Sequence, residues 1–127
     1  MNIKLDTKEK FRVLRIQEDT ITENLSAEFH AILDEHSATP PHNLILDFTR
    51  VRHIADAGIS ILTAVYGQCL EKGISMVIFG LQKEVIQSLQ EKEMDDLLNI
   101  TPTESEAMDI VQMEEIEREL LKDHDVE

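Results

Sequence analysis

Tryptophan is absent from this chain of 127 residues, tyrosine occurs once and phenylalanine four times. Hydrophobic residues nevertheless make up 42% of it, so a core must be built from aliphatic side chains. There is one cysteine, Cys69, which excludes an internal disulfide and fits a reducing cytoplasm. Only four glycines occur, and they are dispersed, which excludes a glycine-rich phosphate loop. No stretch approaches the roughly 18 apolar residues of a membrane span, and the opening MNIKLDTKEK has no apolar signal core, so neither membrane insertion nor secretion is indicated. Basic residues are outnumbered, 12 against 26 acids, giving a net charge of -14. That balance argues against nucleic acid, which needs a basic surface, and against anionic lipid. It favours a basic protein partner.

Catalytic signatures are missing as well. The five histidines, His30, His36, His42, His53 and His124, form no metal-ligand pair at helical spacing. No serine lies in a G-x-S-x-G elbow. The last segment, Glu104 to Glu127, carries ten acids and two bases but lacks a calcium loop's alternating oxygen ligands. It reads as a solvated helix face. A non-enzymatic protein without metal or cofactor is expected.

Hydrophobic periodicity supplies the architecture. Ile3–Asp6 and Lys10–Gln17 read as two antiparallel strands joined by a tight turn. Glu18 to Glu23 is polar and turn-like. A helix follows, with Leu25, Phe29, Ile32 and Leu33 on one stripe, capped by Thr22 or Asn24, and it must end before Pro40–Pro41. The apolar run Leu44, Ile45, Leu46 and Phe48, broken only by Asp47, suits a strand covered on both faces. Arg50 to Gly58 is a loop. From Ile59 the period changes: Leu62, Val65, Tyr66, Cys69 and Leu70 mark one helical face, and Gly73 ends the helix. Ser75–Phe79 is a further strand, closed by Gly80. Leu81–Glu93 is amphipathic, with Val85, Ile86 and Leu89 inward. Met94–Ile100 reads as a short strand entry. A last helix opens at Thr103, which has capping-box spacing to Glu106, and should bury Ala107, Ile110, Val111, Met113 and Ile116. The expected fold is α/β: one mixed sheet of four to five strands with helices packed on it, ordered strand-strand-helix-strand-helix-strand-helix-strand-helix. A single domain should cover residues 1–121, with an acidic tail over 122–127.

The stretch LILDFTRVRHIADAGISILTAVYGQCLEKGISMVIFG resembles the core of STAS domains, the family of bacterial anti-sigma factor antagonists. Their pattern is an apolar strand ending in Asp, an apolar pair, Asp-Ser-Ser-Gly or Asp-Ser-Thr-Gly, then Leu and a helix. Asp47 matches the first Asp, Gly58 the loop glycine and Ile59 the Leu after it. Gly73 and Gly80 match later glycines, and ITPTESEAMDIV resembles the family's final segment.

The resemblance implies a regulatory protein-binding domain that docks an anti-sigma factor, a serine kinase of the histidine-kinase-like ATPase type, through the loop and the helix after it. In the family the serine before the loop glycine is phosphorylated, and the phosphate blocks binding. Here Ala57 stands at that phosphoacceptor position and has no hydroxyl. Asp56 stands in place of the preceding serine, Ala55 in place of the loop Asp, and Thr22 where many members open the first helix with Asp. The docking surface is therefore expected without the usual switch, at Asp56, Ala57, Gly58, Ser60 and Thr63. Ser60, Thr63, Gly67 and Gln68 should face outward, while Tyr66 and Cys69 should face the core. Asp56 has two readings: a fixed charge that mimics phosphate or steers a basic partner, and a cap for the helix beginning near Gly58. Other readings are a scaffold STAS module of a signalling assembly or transporter complex, and a receiver-like domain with Asp47 as phosphoacceptor. The receiver lacks an acidic pair for Mg²⁺ and a lysine after a fifth strand. Monomer and dimer both stay open.

Overall fold

A computed structural model describes residues 1–125. The chain runs β1 (Ile3–Thr7), β2 (Phe11–Ile16), β3 (Thr20–Ile21), a 3-10 turn (Glu23–Leu25), α1 (Ser26–Ala38), β4 (Asn43–Asp47), β5 (His53–Ile54), α2 (Asp56–Glu71), β6 (Met76–Phe79), α3 (Lys83–Glu91), β7 (Ile100–Thr101) and α4 (Glu104–Asp125). The main sheet has five strands in the order β1-β2-β4-β6-β7. β1 and β2 are antiparallel, with Ile3 opposite Ile16 and Thr7 opposite Arg12. The other neighbours are parallel, as helical crossovers require. This is the mixed α/β sheet expected from the periodicity.

Strand alternation divides the core in two. Leu44, Leu46, Met76 and Ile78 point toward Phe29 and Leu33 of α1, Leu62, Val65 and Cys69 of α2, and Val85 and Leu89 of α3. Ile45, Val77 and Phe79, with Phe11 and Val13, point the other way, onto Ala107 and Val111 of α4. Both faces are covered, so Leu44–Leu46 of β4 and the whole of β6 are apolar. Side chains such as these each contribute about 1.5–3 kcal/mol on full burial. Arg12 ties off α1 at its C-terminal end, donating to the carbonyls of His36, Thr39, Pro40 and Pro41 at 2.8–3.0 Å.

Several local expectations need correction. The polar stretch before α1 and the loop before α2 contain β3 and β5, which pair in parallel as a small second sheet. Leu70, assigned to the inner face of α2, is 61% exposed, and Ile86 lies at the edge of α3's buried face. Met113 and Ile116, expected inward on α4, are also exposed. Thr22 does cap: its Oγ1 accepts from the Leu25 N–H at 3.2 Å, at the start of the 3-10 turn. Thr103 Oγ1 accepts from the Glu106 N–H at 3.2 Å, one half of the capping box. The acidic segment read over 122–127 falls partly within α4, which continues to Asp125, and partly outside the described residues.

Candidate functional site

The start of α2 is held from below by the small sheet. The Arg52 N–H donates to Asp19 O at 2.7 Å, and the Ala55 N–H to Ile21 O at 2.8 Å, extending the β3–β5 ladder to the first turn of α2. Ala55 occupies the N-cap position with extended backbone (φ -71°, ψ 158°) and makes no side-chain cap. Asp56, suggested by the sequence as the cap, is therefore the first helical residue, one place beyond the actual cap. It still lies in the first turn, where the helix dipole favours an acid. Its carboxylate pairs with Lys92 Nζ at 3.0 Å, just past the end of α3. Both side chains are well exposed, so the pair is worth about 0–1 kcal/mol.

Ala57 is half-buried in this turn. Gly58 is buried, with Ile54 and Ile21 directly beneath it; a β-carbon there would lie 2.8 Å from Ile54 Cγ1 and 3.2 Å from Ile21 Cγ2. It lets α2 approach the small sheet and offers a partner no side chain. Ser60 is exposed. Thr63 is half-buried, and its Oγ1 donates back to Ile59 O at 2.9 Å. Asp56, Ile59, Ser60, Thr63, Ala64, Lys92 and Met94 line a shallow depression of about 340 Å³. Its floor is apolar and its rim carries the Asp56–Lys92 pair. Three of the five expected contact residues, Asp56, Ser60 and Thr63, line this depression; Ala57 is half-buried outside its lining and Gly58 is buried. Sequence reasoning missed Lys92 and Met94, which approach from α3 and the turn after it. Their distance along the chain leaves no local signal.

Gly67 and Gln68 are exposed farther along α2, while Cys69 is buried and Tyr66 half-buried. Burial pushes the Cys69 thiol above its ordinary pKa; Lys72 opposes this and Asp34 adds to it. Such a thiol is a poor nucleophile.

Asp47, at the end of β4, is fully engaged. Its Oδ1 accepts from the Thr49 N–H at 2.9 Å and Thr49 Oγ1 at 2.7 Å, and its Oδ2 accepts from Arg15 at 3.1 Å. Arg15 also binds Glu104 at 2.6 and 3.1 Å and reaches Asp6 at 3.4 Å. The bond to Glu104, ahead of those to Asp47 and Asp6, raises the guanidinium pKa despite burial. The Asp47 carboxylate is a turn former tied to an arginine. Among the described residues no group of three His, Cys, Asp or Glu side chains is arranged to hold a metal ion. No helix among them is long and apolar enough to cross a membrane.

The STAS domain family model matches residues 2–107. Solved structures agree at the level of the fold. An anti-sigma factor antagonist from Mycobacterium paratuberculosis superposes with a TM-score of 0.77 at 17% identity, over 87% of this chain and 93% of that one. The Bacillus cell fate determinant SpoIIAA in its phosphorylated form gives 0.64 at 13% identity, over 87% and 99%. The murine anion transporter Slc26a9 gives 0.68 at 13%, over 85% of this chain and 18% of the transporter. No curated protein matches the chain in sequence.

Proposed function

The chain belongs to the STAS domain family, and on that basis we propose that it is a regulatory binding domain that docks an anti-sigma factor of the kinase type through the first turns of α2, without a phosphoserine switch. The observation that carries this reading is the surface at Asp56, Ser60 and Thr63. It is outward, shallow and apolar at its floor, and the position before the buried Gly58 is an alanine. Binding needs only that surface. Switching by phosphate needs a hydroxyl that Ala57 lacks.

The electrostatics support a basic partner. The chain carries a net charge of -14, and Asp56 adds an exposed carboxylate at the rim. Because its pair with Lys92 is weak, Asp56 can exchange that lysine for a partner's cation at little cost. Complementary charge of this kind acts mainly on the association rate and the choice of partner.

The test uses the kinase-type anti-sigma proteins of the source genome, each purified and titrated against wild type and Ser60→Arg by calorimetry. Ser60 is exposed, so the arginine leaves the fold intact while obstructing the surface. One such protein should bind wild type and lose at least tenfold in affinity for the variant, about 1.4 kcal/mol. Equal binding to both would remove α2 as the docking element.

A second reading, as a scaffold or transporter-associated module, draws on the shared fold with the Slc26a9 transporter. Binding to a transporter's cytoplasmic region, with no binding to any anti-sigma protein, would favour it.

A further inference from the structure

We propose that the outer face of the second half of α4 docks a basic amphipathic helix from another protein. Met113, Ile116 and Leu120 recur at steps of three and four, which aligns them on one helical stripe. They are 56%, 57% and 58% exposed, and Leu121 beside them is 64% exposed.

The exposure follows from helical phase: at about 100° per residue, Met113, Ile116 and Leu120 lie about 140–200° around the helix from the buried Val111. The 22 residues of α4 span about 33 Å at about 1.5 Å per residue. The five residues of β4 span only about 17 Å at about 3.3 Å each. The helix therefore outruns the strand, and its last turns overhang the sheet. Val111 is the last buried residue of α4 among those described. Four residues farther, Glu115 accepts from Asn43 Nδ2 at 3.0 Å, and Arg118 donates to Asn43 Oδ1 at 3.3 Å, at the very start of β4. Beyond that point the helix runs past the sheet; Met113 and Ile116 lie before it and Leu120 after it, all on the face turned away from the sheet.

Charge selects the occupant. Asp109, Glu117 and Glu119 are exposed and flank the stripe. Arg118 is turned away from it, toward Asn43 and Glu115. Pairing α4 with a second copy of itself would place carboxylates against carboxylates, and such like-charge contacts disfavour a partner. A helix with an apolar stripe bordered by Lys or Arg meets both requirements. The main sheet lies between this face and α1, α2 and α3. Occupancy here is thus independent of docking at Asp56.

The probe is a synthetic helix of about 18 residues, roughly five turns, with a Leu stripe flanked by Lys; a second peptide carries Glu in place of each Lys. Binding to the full chain is read by fluorescence anisotropy at two salt concentrations. The Lys peptide should bind wild type, more weakly at high salt, and the Glu peptide should not bind. Ile116→Ser/Leu120→Ser leaves every charge in place, and Glu117→Lys/Glu119→Lys leaves the stripe in place. Each should weaken binding about tenfold or more, with circular dichroism unchanged because all four positions are exposed. Binding unaffected by the serine pair would reveal charge attraction alone and overturn the proposal, as would failure of the Lys peptide to bind. A dimer of the protein alone that the serine pair dissociates would assign the stripe to a second copy and also overturn it.

Discussion

Gly58 and Ile54 are packed so closely that a β-carbon on the glycine would lie 2.8 Å from Ile54 Cγ1. Ile54 belongs to β5 and is itself buried, so the contact fixes how near α2 comes to the small sheet. Gly58→Ala has two opposing effects. Alanine favours the helix by about 0.5–1 kcal/mol, whereas overpacking a buried contact costs about 1–3 kcal/mol. The clash should win, lowering stability by about 1 kcal/mol, read as a lower urea midpoint at unchanged slope. In a double-mutant cycle with Ile54→Ala the two losses should be less than additive. A more stable Gly58→Ala would show that the gap is not needed.

Arg15 joins Asp47 at the end of β4 to Glu104 at the start of α4. Arg15→Met would take the shared cation from three carboxylates, Asp47, Glu104 and Asp6, of which Asp6 keeps Lys8. The cluster is only partly buried, so the loss should be about 1–3 kcal/mol, below that of a fully buried pair. Urea unfolding measures it directly. A change under about 0.5 kcal/mol would place this cluster among ordinary surface charges.

Cys69 should be nearly inert in the folded protein. Burial raises its pKa, so the thiolate is scarce near neutral pH, and the little that forms is hard to reach. Raising the pH should increase its reactivity, since a protonated thiol loses its proton only toward and beyond the elevated pKa. Iodoacetamide labelling at pH 8 should be slow in the native protein and fast in urea. Rapid native labelling would contradict the buried placement.

The main architecture was legible because its signals are local. The change from the apolar run Leu44–Leu46 to the three-and-four spacing of Leu62, Val65 and Cys69 announces strand then helix without knowledge of the rest. The pair β3 and β5 gave no such signal: each is two residues long, and Thr20 meets His53 only across the 32 residues between them. The cap of α2 was displaced by one residue because an N-cap is defined by backbone angles, and Ala55 carries them. On α4, Ala107 and Val111 are buried as read, but Met113 and Ile116, assigned to the same side, lie on the opposite face. The helix carries apolar residues on two faces, and spacing alone does not say which of them the sheet covers. Lys92 at the site is likewise a product of tertiary placement, since only the packing of α3 beside α2 brings it to Asp56.

The surface at α2 should tolerate loss of the Asp56–Lys92 pair. Lys92→Ala removes an exposed contact worth about 0–1 kcal/mol, so thermal stability should hardly change. It also frees the Asp56 carboxylate, which should speed association with a basic anti-sigma partner at low salt. Stopped-flow association rates across a salt series check this; an unchanged rate would exclude Asp56 from the encounter.

The most direct test of a docking surface without a phosphate switch is intact-mass spectrometry of the anti-sigma complex incubated with ATP and Mg²⁺, run in parallel for wild type and Ala57→Ser. Wild type should remain bound with its mass unchanged, while Ala57→Ser should gain one phosphate and dissociate. A stoichiometric phosphate on wild-type Ser60 or Thr63, followed by release, would contradict the account.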